Sequence, residues 1–459
     1  MTTTPSEATA LPAAFRALPL QDVVSAPGAL DALPDVLRRL DARRVTVLHD
    51  GARIVHDGRD VVATVLRLAA SPRAGTAFVD DTLVRRTAHG VVLDEDTVDA
   101  ATIGCQGYDV VVATGGGTVT DLAKAVVATT GARLVVVQCA ASVNGYSDAL
   151  SVLVRNGAKR TAPTAWPAAL LVDHDVLAAA PPHLTRSGVG DAAATWTAPA
   201  DWYLAGAFGM DAGYDPEVFR PVQEAVARLR AHPAGSPEAL SALVDALTVG
   251  GLSIGVCGTT APLSGSEHLM SHLLDMAAMA RDEPHDLHGA QVGVATVVAA
   301  SLWQVALDRL DRATLETAVL SPPTDLRERV AATWAVVDPS GRVGAECWTA
   351  VERKLALWTE RQDAARDAVD AWDEHRATLR GLTADPAVPA DVLRAWGAPT
   401  RFSELTPAVG EDEVRWVLRS LPLMRDRFTL PDLLLLAGLW DDALLDEVLA
   451  LAARHGGGL

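Results

Sequence analysis

The stretch SGSEHLMSHLLDM (264–276) carries His268 and His272 four residues apart inside an otherwise apolar run. On a helix that spacing is about one turn, so both imidazoles project from a single stripe. Two polar rings on a buried stripe can hold a metal, meet a substrate, or satisfy each other. A second segment, RDEPHDLHGAQVGVAT (281–296), supplies His285 and His288, the latter just ahead of a glycine and an apolar helix. Upstream, RSGVGDAAATWTAPADW (186–202) places Asp191 behind two glycines at a helix start, where a carboxylate needs no function beyond the first turn. Each of these side chains is unremarkable alone. Taken together, one carboxylate and two imidazoles from three separate segments make a three-ligand set, which leaves coordination positions for a substrate oxygen, as a catalytic divalent metal requires.

A different chemistry is written in VVVATGGGTVTDLAK (110–124), where an apolar run meets three glycines and then a helical pattern. Glycines there let backbone N–H groups approach a pyrophosphate closely, and the helix start favours negative charge. The pattern is GGGxxxD rather than GxGxxG, and a bare strand-to-helix turn would read the same way. Asp50 closes the strand-like RVTVLHD (44–50), where a carboxylate can accept from ribose hydroxyls. Such an acid repels a 2′-phosphate, so NAD is expected in preference to NADP.

These groups need a scaffold, and periodicity outlines it. Helical patterns at 31–42 and 60–71 alternate with β-rich runs at 44–50 and 75–81; 109–129 reads strand, glycine turn, helix, and 133–140 is another strand. That alternation predicts parallel βαβ units with ligands at the carboxyl ends of the strands. From about residue 183 the chain turns to long Ala/Leu/Val-rich helical periods. The expected organisation is a disordered N-terminus over 1–15, an α/β NAD-binding domain over 16–182, and a helical metal- and substrate-binding domain over 183–459. The Trp-bearing segment 334–400 has no assignable role at this level.

Composition narrows the partners. The 459 residues are 49% hydrophobic, with 39 basic against 58 acidic side chains and a net charge of −19. That balance disfavours nucleic acid and anionic membrane surfaces without forbidding a small anionic substrate in a locally basic pocket. Four scattered cysteines (Cys105, Cys139, Cys257, Cys347) fit a reduced compartment, taken to be the cytoplasm. The N-terminal MTTTPSEATALPAAF lacks the pattern of a signal peptide, and no uninterrupted apolar stretch near 18 residues predicts a spanning helix. The expected partner is a small molecule, phosphorylated or not; homo-oligomerisation stays open.

The motifs GGGTVTDLAK, SVNGYS, SGVGDAAATWTAPADW, SGSEHLMSH and LHGAQVGVAT occur in the order seen in sn-glycerol-1-phosphate dehydrogenases, and RDRFTLPDLLLLAGL (425–439) resembles the C-terminal segment of bacterial members. The chain therefore resembles that family, within the iron-containing alcohol dehydrogenase and dehydroquinate synthase-like group, over roughly residues 25 to 450. The resemblance implies a nucleotide-binding α/β domain, a helical domain, and a site in the cleft between. By motif match Asp191, His268 and His288 would hold a divalent metal (Zn, Ni or Fe), and His272 would face the substrate. Gly115, Gly116, Gly117, Thr118 and Val119 would wrap the pyrophosphate, with Ser142 nearby. Asp50 matches the ribose-binding acid and Asp121 the acid that closes the glycine motif.

Three positions depart from the family pattern. Asn144 stands where a substrate-contacting Asp is usual, which removes a charge and adds a donor. Asp148 replaces a cofactor-contacting Ser, and Thr195 replaces a Lys four residues after the metal Asp, leaving Lys159 and Arg160 as candidates to meet a phosphate. The resemblance implies an NAD(P)-dependent, metal-assisted dehydrogenase acting on a glycerol-1-phosphate-like polyol or polyol phosphate, with His272 as a proton carrier. Two rivals stand beside it. One is a dehydroquinate synthase-like sugar-phosphate cyclase using NAD transiently; the other is a repurposed relative without catalysis.

Overall fold

The computed structural model describes residue 15 and residues 18–84, 86–87, 90–318 and 320–459; apart from Phe15, the expected disordered N-terminus lies outside them. The chain forms two compact units. Of the described residues, the first comprises those within Met1–Arg155, Arg160–Gly188 and Arg220–Thr259; the second comprises those within Asn156–Lys159, Val189–Phe219 and Thr260–Leu459. A single cut at 182/183 does not describe this partition, because residues 220–259 cluster with the first unit although their sequence is helical.

The strands of the described residues are β1 (Asp22–Ala26), β2 (Arg44–His49), β3 (Val55–His56), β4 (Arg59–Asp60), β5 (Phe78–Leu83), β6 (Val110–Gly115), β7 (Arg133–Gln138), β8 (Leu150–Arg155), β9 (Ala158–Pro163) and β10 (Ala169–Asp173). Six of them make one sheet in the order β1-β10-β7-β6-β2-β5, parallel throughout. β6 and β10 are buried along their whole length, which is why they read as continuous apolar runs rather than alternating ones. β5 begins three residues later than its sequence pattern suggests. Gly75, at φ 72°, turns the chain first, and Ala77 and Phe78 N–H groups both donate to the Arg43 carbonyl.

The order of the sheet reverses between β2 and β6: β2 leads outward to β5, while β6 leads the other way through β7 to β10. In an open parallel sheet, the crevice beyond the carboxyl ends of the strands at such a reversal is where ligands bind. Leu48 pairs with Ala113 across β2 and β6, so Asp50 lies level with Gly115 just beyond that last pair.

The second unit is helical. His288–Arg309 runs through its interior and packs on Ser266–Ala280, Ala387–Trp396 and Asp442–Arg454. Among the described residues two helices are, by length and composition, apolar enough to cross a membrane, contrary to the sequence expectation. They are Pro237–Cys257 and His288–Arg309, with mean hydropathy 1.7 and 1.5. In the second, 94% of the apolar window is buried inside the protein, so its hydrophobicity is that of a core helix. The Trp-bearing segment supplies anchors to the same core. Trp358 stacks on Phe428 at 5.5 Å, and Trp372 Nε1 donates to the Leu310 carbonyl at 2.8 Å.

Candidate active site

Asp191, His268 and His288 converge in the helical unit. One ligand atom from each lies within 4.8 Å of the others. His268 Nε2 is 3.6 Å from Asp191 Oδ1, and His288 Nε2 is 3.9 Å from the same oxygen. The Asp191 and His268 side chains are 1% and 7% exposed whereas His288 is 26% exposed, so the cluster opens on the His288 side.

The outer nitrogen of each ring is engaged, and that decides which way the inner one faces. Glu267, fully buried, accepts from His268 Nδ1 at 3.0 Å, from Gly265 N at 2.6 Å and from Thr197 Oγ1 at 2.7 Å. A carboxylate only accepts, so His268 carries its proton on Nδ1 when neutral. Ser271 Oγ donates to Gln291 Oε1 at 2.6 Å and therefore accepts from His288 Nδ1 at 2.8 Å. Both rings thus turn Nε2 toward Asp191, as a lone pair when the ring is neutral. Anchored outer nitrogens and convergent inner ones are what a protein-bound divalent cation needs, and the donor set fits.

Asp201 fixes the turn that launches this helix. Its carboxylate accepts from Ser266 N and Oγ at 2.7 and 2.8 Å and from Leu430 N at 2.8 Å, tying two helix starts to one acid. Burial, reinforced by the nearby Glu267 charge, pushes its carboxyl up to about 7. Arg427 adds bonds to the Ser264 carbonyl and, at 2.6 Å, to Thr260 Oγ1.

His272 joins the cluster, its ring 5.3 Å from that of His288. Its Nδ1 is buried with no hydrogen-bond partner among the described residues. Burial, then the charge of Arg425, holds its pKa well below the usual value, so the ring is neutral. His285 does not join: its Nδ1 sits 2.9 Å from Asp275 Oδ1, and Lys159 closes on the other oxygen of the same carboxylate. Thr195 is buried, and its Oγ1 has no partner among the described residues.

In the sheet unit, Gly115 ends β6 and Gly116 caps the helix Gly117–Thr130. A side chain at Gly117 would strike Val143 at 2.6 Å, while one at Gly116 would meet nothing within 4 Å. The helix N-terminus beside Thr118 and Val119 is therefore tightly packed behind and open in front, which suits a pyrophosphate. Ser142 follows β7 and pairs with Tyr146 Oη at 3.2 Å. Asn144 lies half-buried on the same loop.

Asp121 and Asp148, two positions singled out in the sequence, face a buried lysine. Lys124 Nζ lies 2.9 Å from Asp121 Oδ1 and 2.7 Å from Asp148 Oδ1, and donates to the Gly145 carbonyl at 3.0 Å. Asp121 Oδ2 also accepts from Val152 N at 3.0 Å. Burial opposes the Lys124 charge, and the two carboxylates more than restore it. This cluster staples the loop after β7 to the glycine helix. Asp50 Oδ1 accepts from Ala52 N at 3.0 Å, and its Oδ2 pairs with Arg86 at 3.3 Å.

Sequence reasoning missed Glu267, Ser271, Gln291, Asp201, Lys124, Arg86 and Arg425. A glutamate beside a candidate ligand, inside an apolar helix, was the available signal for Glu267. The partners of Asp201 stand 65 and 229 residues away, beyond any local pattern.

Residues 24–181 match the family described as iron-containing alcohol dehydrogenase. A glycerol-1-phosphate dehydrogenase [NAD(P)+] of Bacillus velezensis is 30% identical over 72% of this chain and 84% of its own length. That of Halalkalibacterium halodurans is 29% identical over 60% and 69%. Among solved structures, a glycerol dehydrogenase from Schizosaccharomyces pombe superposes with a TM-score of 0.58 at 16% identity, covering 95% of this chain and 91% of that one, which shows a common fold. With a relative matched at that identity over most of its length, this chain belongs to the glycerol-1-phosphate dehydrogenase family of the iron-containing alcohol dehydrogenases.

Proposed function

We propose that this protein is a metal- and NAD(P)-dependent dehydrogenase that interconverts a small polyol or polyol phosphate, of the glycerol-1-phosphate class, with its ketone. The observation that carries this reading is the Asp191–His268–His288 cluster, whose two rings are locked by Glu267 and Ser271 with their Nε2 atoms inward. A divalent cation held there supplies a Lewis acid for a substrate hydroxyl or carbonyl oxygen. An NAD(P) seated on the glycine turn supplies the hydride acceptor or donor.

The chain's own residues do the rest. Asp191, held almost fully buried, contributes the one negative charge of the ligand set. His272, neutral and with Nδ1 unengaged by the protein, is placed to exchange a hydrogen bond or a proton with a substrate hydroxyl. Arg425 and, more weakly, Lys159 depress His272; Lys159 is already paired with Asp275, so Arg425 is the positive charge that supports an anionic group on the substrate where Thr195 offers none. In this reading Asn144 meets the substrate as a donor rather than a base, and the protein works in the cytoplasm on a small molecule.

A substrate panel tests the proposal. Metal-loaded protein is mixed with NADH or NADPH and dihydroxyacetone, dihydroxyacetone phosphate and related ketones, and absorbance at the reduced nicotinamide band is followed. Oxidation with the phosphorylated ketone at a kcat/KM at least about tenfold above the unphosphorylated one is expected, the scale of one charge-assisted contact. Absence of net nicotinamide change across the panel, in protein shown to bind both metal and dinucleotide, would overturn the dehydrogenase reading.

A further inference from the structure

Asp50 is not alone at the end of β2. Arg86, just beyond the carboxyl end of the neighbouring β5, places a guanidinium nitrogen 3.3 Å from Asp50 Oδ2. The other carboxylate oxygen is fixed by Ala52 N at 3.0 Å, so Asp50 is anchored by the backbone as well as by Arg86. Arg86 is 48% exposed against 21% for Asp50. An ion pair so open to solvent is weakly held and readily exchanged for another anion. Asp50 lies where the order of the sheet reverses, level with the glycine turn, and Arg86 reaches it from beyond the neighbouring β5.

An acid at this place accepts from a ribose 2′-hydroxyl, and an arginine there accommodates a 2′-phosphate. Here both are present and paired. We propose that Arg86 is a specificity-determining residue: it neutralises Asp50 in the free protein and transfers its guanidinium to the 2′-phosphate of NADPH, so that the same site takes both dinucleotides. With NADH bound, Arg86 stays on Asp50 while the carboxylate accepts from the ribose. With NADPH bound, the phosphate replaces the carboxylate as its partner, and the repulsion expected from Asp50 alone is offset. This inference rests on the dinucleotide reading above.

Equilibrium binding of NADH and NADPH to the full, metal-loaded chain, followed by nicotinamide fluorescence, tests it without turnover. The wild type is expected to bind both. Arg86→Gln should weaken NADPH by roughly 10- to 100-fold, as for loss of a charge-assisted contact, while shifting NADH by no more than about threefold. Arg86→Lys, which keeps the charge but not the fork, should recover part of the NADPH affinity. Asp50→Asn should move the ratio the opposite way, toward NADPH. An unchanged NADPH-to-NADH ratio in Arg86→Gln, or a wild type that binds NADH alone, overturns the role of Arg86 and leaves the dehydrogenase reading standing. Failure of the wild type to bind either dinucleotide overturns both.

Discussion

At the residue scale, the protein spends its buried polar groups on orienting two imidazoles. Burial works against a charge on His268, yet the hydrogen bonds it donates to Asp191 and Glu267 outweigh it and raise the ring to about 9. Burial and the His268 charge push His288 the other way, down to about 3. Without a cation, His268 therefore holds a proton through neutral pH that a metal must displace, and His288 has none to lose. Zinc affinity should fall as pH drops below about 9, by about tenfold per unit, with about one proton released per ion bound. Calorimetry in buffers of different ionisation enthalpy reads that number; two protons, or none, would contradict the assignment. In Glu267→Gln the ring loses its anchoring carboxylate, and zinc affinity at pH 9, where proton competition is small, should fall about 10- to 100-fold. The helical spacing of His268 and His272 was legible from sequence, as was the candidacy of His288. Which nitrogen faces inward was not, because Thr197, Gln291 and Ser271 settle it from other elements or other turns.

At the element scale, close approach of helices sets the site. Gly190 and Asp191 lie on Pro182–Ala193, and Gly289 follows His288 at the start of His288–Arg309. A Cβ at Gly190 would stand 2.0 Å from the Gly289 carbonyl oxygen and 3.1 Å from Gly293 Cα, so the two backbones are in contact and neither can yield as a side chain would. Gly190→Ala must therefore push apart the two segments that carry Asp191 and His288. A loss of about 1–3 kcal/mol, or somewhat more, is expected by denaturant unfolding, with zinc stoichiometry well below one per chain. Unaltered stability together with full zinc loading would show that the crossing is slack. The strand–glycine–helix unit at 110–130 was readable because β6 is buried on both faces and the glycines interrupt it sharply. The β8–β9 hairpin was not read, although its Asn156-Gly157 turn, with both residues at positive φ (51° and 79°), is the strongest short hairpin signal in the chain. β9 (AKRTAP) escaped notice because it is polar and half-buried, and β8 (LSVLVR) because its apolar residues do not alternate with polar ones as they do in a strand with one buried face.

At the scale of the whole molecule, the two chemistries reside in different compact units. Asp191, His268, His288 and His272 belong to the helical unit, while Gly115–Gly117, Ser142 and Asp50 belong to the sheet unit. The change from alternating to helical patterning near residue 183 was visible in the sequence, but the return of 220–259 to the sheet unit was not, since helix Pro237–Cys257 has the same apolar composition as helices of the other unit. Each ligand should accordingly stabilise the unit that supplies its contacts. At about a hundredfold excess over its Kd, a ligand adds about 2.7 kcal/mol to the opening free energy of the structure that binds it. Hydrogen exchange gives the readout. Zinc alone should slow exchange at 266–272 and 288–293, where the ligands and their outer partners sit; NADH alone should slow it at 50–52 and 115–120. Zinc protection centred on the glycine turn, or NADH protection confined to the histidine helices, would mean that the sites have been assigned to the wrong units.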